Sequence, residues 1–337
     1  MRGDLATVLG FAGLWRYGVE GQIGQEPTFD EHIDVIVRVF EAVRRVLKPT
    51  GTVWLNLGDC YSRNPTKGGS GPNGKNEPKW GYGVSQNSKQ KASDLAEKQL
   101  CMMPNRIAIA LQEAGWWVRS EIIWAKRNPM PESIRDRPAT AHEKIFMLTK
   151  SARYFYDADA VRVPPQPSSI ARWSQDVENQ AGSNRANGGA KTNSPMKAVG
   201  GPDKQRGHGR RHDGFNDRWN QISKSEQQAS GRNLRNWEME RAELEVWDIA
   251  TRPFPDAHFA TFPPDLAARC IKAGCPDGGL VLDPFGGSGT VGLVANRLNR
   301  DSILIELNPE YAKMAKRRIQ EDAGIFAEVD MTAETSA

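Results

Sequence analysis

A glycine-rich turn between an apolar segment and a helical segment is the feature that most constrains the fold of this chain. The stretch VLDPFGGSGTVG covers residues 281–292, and within it Gly287, Gly289 and Gly292 have the spacing G-x-G-x-x-G. Glycines at this spacing allow the backbone to turn tightly and to approach a ligand closely. The pattern therefore predicts a strand, a turn and a helix that together bind a nucleotide-like cofactor.

Two acidic residues beside the turn narrow the choice of ligand. Glu306 ends the next apolar segment, 19 residues after Gly287, where a carboxylate can accept hydrogen bonds from ribose hydroxyls. Asp283 stands just before the glycines, where it would repel a pyrophosphate and attract a positively charged amino group. These two acids favour S-adenosylmethionine, and the glycine spacing alone leaves an NAD-dependent oxidoreductase as an alternative.

Hydrophobic periodicity predicts an α/β protein with a mostly parallel sheet, because strand-like and helix-like segments alternate along the chain. The first helix has the clearest start signal, a capping box formed by Thr28 and Glu31. The predicted strands cover residues 52–58, 116–125, 143–150, 279–283 and 302–306. The predicted helices cover residues 28–47, 105–114, 264–273, 289–298 and 309–319.

Two long polar stretches interrupt this pattern, at residues 62–97 and 165–240. The chain of 337 residues has a net charge of only +4, yet residues 165–237 contain 12 Lys and Arg against 6 Asp and Glu. A local basic excess of this kind indicates a polyanionic partner. The same composition is also typical of a disordered, solvated loop.

Other sequence features exclude several classes of protein. No run of 18 apolar residues is present, so no membrane span is expected. The four cysteines form no C-x-x-C pair, and His208 and His212 have no cysteine near them, so no metal site is predicted. Reduced thiols in a cytoplasm are the expected state of these cysteines.

Several segments together resemble the DNA amino-methyltransferases, which transfer a methyl group from S-adenosylmethionine to N6 of adenine or N4 of cytosine. LDPFGGSGTVG and ILIELNPEYAKMAKRRI are similar to the cofactor half of that family. Four further segments resemble the branch of the family in which the catalytic half comes first. They are YGVEGQIGQEPT, RRVLKPTGTVWLNLGDCY, IIWAKRNPMPESIRDRPATAHEKIFMLTKSARYFYDADAVR and VWDIATRPFPDAHFATFPPDLAARCIKAG.

This resemblance implies a Rossmann-like methyltransferase sheet that is circularly permuted and contains an inserted target-recognition region. The catalytic half would cover residues 1–164, the partly disordered recognition insert 165–245, the cofactor half 246–325 and a tail 326–337. Double-stranded DNA would be the partner, and a cognate restriction endonuclease would be a possible second partner. The protein would be located in the cytoplasm of a bacterial or phage-infected cell. The oligomeric state, the methylated base and the recognised sequence are left open.

The resemblance also assigns cofactor-binding residues. Glu306 would bind the ribose, and residues 259–262 would close over the methionine end of S-adenosylmethionine. The residues expected to contact the cofactor are Asp283, Pro284, Phe285, Gly287, Gly289, Thr290, Glu306, Phe259, Ala260, Thr261 and Phe262.

The chain departs from the family at the catalytic tetrapeptide, which consists of Asp, Ser or Asn, then Pro-Pro, then an aromatic residue. In the family these residues accept the hydrogens of the amino group and stack on a base flipped out of the duplex. Alignment without gaps places Val8-Leu9-Gly10-Phe11 on the motif, whereas a deletion would remove a strand together with it. No catalytic residue is assigned, and a catalytically impaired DNA- and cofactor-binding homologue is an alternative. Asp59 is a candidate substitute, and the favoured interpretation is that it caps a loop or lies on the cofactor side.

Overall fold

Seven strands form one sheet with helices on both faces in the computed structural model, which describes residues 5–12, 21–62, 95–129, 131–163, 244–252, 263–324 and 328–332. The strands are β1 (Leu5–Ala12), β2 (Leu47–Leu57), β3 (Trp117–Lys126), β4 (His142–Thr149), β5 (Val246–Ile249), β6 (Leu280–Asp283) and β7 (Asp301–Leu304). The helices among these residues are α1 (Phe29–Val46), α2 (Met103–Glu113), α3 (Pro264–Gly274), α4 (Thr290–Arg297) and α5 (Pro309–Ala323).

The strand order is β5-β3-β4-β2-β1-β6-β7, and every neighbouring pair is parallel except the two that involve β4. The predicted α/β class and the mostly parallel sheet are therefore confirmed. β1 lies between β2 and β6, so the first strand of the chain joins the two halves in one sheet. The permuted order relative to other methyltransferases stays a prediction.

Helix α1 shows how local sequence produces these elements. Thr28 accepts a hydrogen bond from the Glu31 backbone N–H at 3.2 Å, and the Glu31 carboxylate accepts one from the Thr28 N–H at 3.3 Å. This reciprocal capping box was predicted, and it satisfies two N–H groups that helix ends leave unpaired. Phe29, Ile36 and Phe40 then recur at helical spacing and are buried against the sheet.

Buried apolar side chains form a core on each face of the sheet. On one face, α3 and α4 contribute Leu266, Ile271 and Val291, which are fully buried in a cluster with Trp54 of β2. On the other face, α1 and α2 pack Phe40, Ile107 and Leu111 against Val53, Leu55, Phe146 and Leu148. Within the described residues, no helix is long and apolar enough to cross a membrane.

Two strands were not predicted from the sequence. β1 is a short apolar run, and its side chains at Val8 and Leu9 are fully buried. Such a run lacks the alternation that marks a half-buried strand, because a central parallel strand is covered on both faces. β5 has only four residues, and it forms because it pairs with β3 in parallel from Ile123↔Val246 to Lys126↔Ile249.

Candidate cofactor-binding site

The glycine turn connects β6 to α4 through backbone angles that favour glycine. Gly287 has φ of 51° and Gly289 has φ of 77°, both in the left-handed region that L side chains rarely adopt. A Cβ on Gly289 would also lie 2.7 Å from Cβ of Ala315 in α5. The second glycine of the motif therefore permits α5 to pack directly against the turn.

Glu306 ties the glycine turn to the start of α5. Its Oε2 accepts a hydrogen bond from the Gly287 N–H at 2.7 Å, and its Oε1 accepts one from the Asn308 N–H at 2.8 Å. The residue lies two positions beyond the end of β7, slightly later than predicted. Its carboxylate thus reaches the turn across the carboxyl edge of the sheet, as an acid that binds a ribose in this fold must do.

Arg318 of α5 braces the turn from the side of the helix. Its Nη1 donates hydrogen bonds to the Ser288 carbonyl oxygen at 3.1 Å, to Ser288 Oγ at 3.1 Å and to Thr290 Oγ1 at 2.9 Å. Burial lowers the pKa of this guanidinium, and the nearby Arg297 lowers it further. Sequence reasoning missed Arg318, because only the packing of α5 brings it to the turn.

Asp283 is a buried carboxyl that lacks half of its hydrogen bonds. Its Oδ1 accepts the Phe285 N–H at 2.9 Å, and its Oδ2 is buried without any protein partner. Burial raises the pKa of Asp283 to about 7; the Phe285 hydrogen bond acts in the opposite direction, and Glu306 raises the pKa further. Native proteins rarely leave such an atom unpaired. The ammonium group of a ligand fits this acceptor, whereas a ligand phosphate would be repelled by the carboxylate.

The carboxyl end of β1 lies beside the glycine turn. A Cβ on Gly10 would be 3.6 Å from Cε2 of Phe285, which places the aligned motif position next to the Asp283-Pro284-Phe285 segment. The alternative in which a deletion removes the motif strand is wrong, because β1 is present between β2 and β6. The β1 residues at the first two motif positions, Val8 and Leu9, are aliphatic and fully buried.

Asp59 has a structural role that explains its position after β2. Its Oδ1 accepts the Cys60 N–H at 2.8 Å and the Met103 N–H at 3.2 Å. Met102, the residue before α2, provides no side-chain cap, so Asp59 caps that helix from a distant loop. The loop-capping interpretation is therefore supported.

The structure brings together most of the predicted cofactor residues at one edge of the sheet: Asp283, Pro284, Phe285, Gly287, Gly289, Thr290 and Glu306. Phe259, Ala260, Thr261 and Phe262 lie outside the described residues, as does the predicted recognition insert. Among the described residues, no cluster of His, Cys, Asp and Glu could hold a metal ion.

Comparison with known proteins gives a consistent result. Residues 10–317 match the DNA methylase family model for N6 and N4 amino-methyltransferases. Type II methyltransferase M.XycI of Xanthomonas campestris pv. cyanopsidis is 38% identical over 308 residues, which cover 91% of this chain and 78% of that protein. Type II methyltransferase M.SmaI of Serratia marcescens is 36% identical over 307 residues, with 91% and 80% covered.

Solved structures share the fold. The cytosine-N4-specific PvuII DNA methyltransferase superposes with a TM-score of 0.53 at 16% identity, covering 98% of this chain and 82% of that one. A DNA modification methylase from Thermus thermophilus in complex with S-adenosylmethionine superposes with a TM-score of 0.50 at 18% identity, covering 96% and 89%. The sheet and the glycine turn thus have the Rossmann-like fold of these structures.

This chain belongs to the N6/N4 family of DNA methylases. Its reaction is the transfer of a methyl group from S-adenosylmethionine to an amino group of DNA, and DNA is its macromolecular substrate. The glycine turn places two carboxylates, Asp283 and Glu306, at one edge of the sheet.

The ionisation of Asp283 should control cofactor affinity. Binding of S-adenosylhomocysteine is expected to strengthen as the pH rises through about 7, because only the ionised carboxyl attracts the ligand ammonium and binding then releases a proton. Isothermal titration calorimetry between about pH 6 and about pH 8 measures this affinity. Below the pKa of Asp283, the affinity should rise by up to about tenfold per pH unit.

Asp283→Asn should remove that pH dependence and weaken binding, and Asp283→Ala should abolish binding. Asp283→Asn should also make the free energy of unfolding less dependent on pH. In the parent the folded state holds this proton more tightly than the unfolded chain does. Its stability therefore falls as the pH rises from about 4 towards the folded pKa. Asp301→Asn, at an exposed acid on β7, is the control. Unchanged affinity in Asp283→Ala would show that the site is assigned wrongly.

Arg318→Gln should weaken S-adenosylhomocysteine binding by about tenfold, because the turn loses three hydrogen bonds of about 0.5–1.5 kcal/mol each. The measurement is the ligand-induced rise in melting temperature, compared with Arg317→Gln on the exposed face of the same helix. Arg318→Lys should restore part of the rise. A lower melting temperature with an unchanged ligand-induced rise would show that Arg318 only stabilises the fold.

Proposed function

We propose that this chain methylates N6 of adenine or N4 of cytosine within a specific DNA sequence, as part of a restriction-modification pair. The single observation that supports this most directly is the unpaired Oδ2 of Asp283 in front of a glycine turn closed by Glu306. The relatives named above are Type II methyltransferases, which supports a cognate endonuclease as partner and the cytoplasm of a bacterial or phage-infected cell as location.

The protein residues have three tasks in this proposal. Asp283 would hold the ammonium group, and Glu306 would bind the ribose hydroxyls in place of one of its two backbone N–H partners. The segment at residues 259–262 would cover the methionine end. When bound, the cofactor supplies a methyl group that its sulfonium has already activated. The protein must therefore orient the amino nitrogen and accept its hydrogens, and it needs no strong base.

The site lacks a side-chain acceptor for those hydrogens at the motif position. The amino nitrogen of a base is a poor nucleophile until acceptors draw its hydrogens out of the ring plane. Val8 and Leu9 offer no polar side chain at the motif position. On the β6 side the pairing of β1 ends at Val8↔Leu282, whereas on the β2 side it continues to Ala12↔Leu57. Main-chain carbonyls beyond Val8 that face β6 are the acceptors that the chain retains there, and turnover should be slow.

Methyl transfer to unmodified bacterial DNA tests the reaction and the missing motif together. Mass spectrometry of the nucleosides should detect N6-methyladenine or N4-methylcytosine with the parent chain. A variant with Val8→Ser, Leu9→Pro, Gly10→Pro and Phe11→Tyr should be faster by about 10²–10³-fold, which is the size of the loss when one transition-state hydrogen bond is removed from an enzyme.

Binding of S-adenosylhomocysteine to both proteins confirms that each is folded, and Asp283→Ala should abolish product in both. In the variant with the restored motif, the two prolines would end the pairing of β1. The motif residues at positions 8 and 11 would then lie at the end of the strand. Retained cofactor binding with no modified base from either protein would refute the proposed reaction.

The insert at residues 165–240 should supply most of the affinity for DNA, because it contains the basic excess of the chain. Replacement of residues 171–240 by a short Gly-Ser linker is expected to lower the affinity for duplex DNA by at least about tenfold. Fluorescence anisotropy with a labelled duplex measures the loss, and unchanged S-adenosylhomocysteine affinity is the control. DNA binding at the parent affinity would rule out the recognition role.

A further inference from the structure

A basic groove lies at the edge of the sheet opposite to the cofactor site. α1 ends at Val46 where β2 begins, whereas the glycine turn and Glu306 follow the ends of the parallel strands β6 and β7. The groove has a volume of about 640 Å³ and is lined by Arg38, Glu41, Ala42, Arg44, Arg45, Ala114 and Gly115. Because β2 has 11 residues, the two edges are roughly 30 Å apart at about 3.3 Å per residue.

The arginines of this groove form no ion pairs with the residues that the structure describes. Arg38, Arg44 and Arg45 line it, and none of them has a carboxylate within ion-pair distance in the part of the chain that the structure describes. Elsewhere on the protein, arginines such as Arg127 and Arg252 pair with Asp248 and Asp265. The groove brings together three arginines that have no such partner among the described residues.

Packing holds one of these guanidinium groups in place. Arg44 donates a hydrogen bond to the Ala114 carbonyl oxygen at 3.3 Å, and its guanidinium lies 5.5 Å from the centre of the Trp116 ring. Gly115 leaves the room for it, because a Cβ there would be 3.1 Å from Arg44 Nη1. The backbone at Gly115 has φ of 90°, which also favours glycine. Arg44 therefore needs little further ordering to bind an anion.

Lys150 adds a fourth cation beside the groove. Its Nζ donates to the Leu47 carbonyl oxygen, and both burial and the charge of Arg44 lower the pKa of this amine. Glu41 is the single acid in the lining, and it forms no ion pair with the groove arginines. An anion in the groove would relieve this repulsion between like charges.

The spacing of the arginines fits a nucleic-acid backbone. Arg38 and Arg45 are seven residues apart on α1, which is about 10 Å along a helix axis at 1.5 Å per residue. That length matches about three base-pair steps of duplex DNA at 3.4 Å each. We propose that this groove binds the phosphates of a second segment of duplex DNA, separate from the segment at the cofactor edge.

Binding stoichiometry tests this proposal. The full chain is titrated with a fluorescent DNA hairpin whose duplex stem of about 7 base pairs is roughly 24 Å long at 3.4 Å per base pair. This stem is too short to reach both edges. The parent should bind two duplexes per chain, and Arg38→Gln/Arg45→Gln should bind one. Both arginines are exposed, so the substitutions leave the core unchanged. The weaker site of the parent should also have a salt slope of about −0.9 for each phosphate contacted.

Two controls separate this inference from the proposed methyl transfer. Lys313→Gln/Arg317→Gln removes the same charge from the exposed face of α5 and should keep two sites. S-adenosylhomocysteine affinity and methyl transfer should be the same in the groove variant as in the parent. Absence of methyl transfer in the parent itself would be a failure of the methyltransferase assignment, and the number of duplexes bound would still decide the groove proposal. Three outcomes would each overturn the proposal. They are a single duplex bound per parent chain, an equal loss of duplex binding in both double variants, and a groove that binds inorganic phosphate but no duplex DNA.

Discussion

The parallel pairing of β1 with β6 is the interaction on which the candidate site depends. It joins the first strand of the chain to the strand that ends at Asp283, from Leu5↔Leu280 to Val8↔Leu282. Because parallel strands end at the same edge, the carboxyl end of β1 and the glycine turn become neighbours. The closeness of Gly10 to Phe285 follows from this register, and so does the proximity of the motif position to the predicted cofactor residues.

Asp283 shows what this arrangement costs the fold. A carboxyl with a fully buried, unpaired oxygen is unfavourable in the free protein, and its raised pKa reports that penalty. Glu306 and Arg318 hold the turn from two sides, so no backbone N–H of the turn moves to donate a hydrogen bond to Asp283 Oδ2. The protein thus keeps a preorganised acceptor, which is a general way to gain affinity for a cationic ligand.

Much of the fold could be predicted from the sequence, because local signals determine most elements. The capping box at Thr28 and the helical spacing of α1 were sufficient for that helix, and the cofactor half matched the predicted strand-turn-helix pattern. β1 and β5 were missed because tertiary neighbours, rather than alternation, make them strands. The order of the strands was equally beyond reach of local patterns.

The candidate site divides in the same way. Asp283, Glu306 and the glycines could be recognised because they lie at fixed offsets along the chain. Loop capping by Asp59 was expected, but its partner at the start of α2 was not, and neither was the Arg318 brace. Each joins residues far apart in sequence, at separations of 44 and 28–30 residues. Their positions depend on how helices pack onto the finished sheet.

The central place of β1 has a consequence during synthesis. Leu5 pairs with Leu280, which is 275 residues later in the chain. At a translation rate of roughly 5–20 residues per second, β6 emerges roughly 15–55 s after β1. Throughout that interval one edge of an apolar strand lacks its final partner and is open to association with other chains. We therefore expect expression yield to depend on chaperones that protect nascent strands, and on growth temperature.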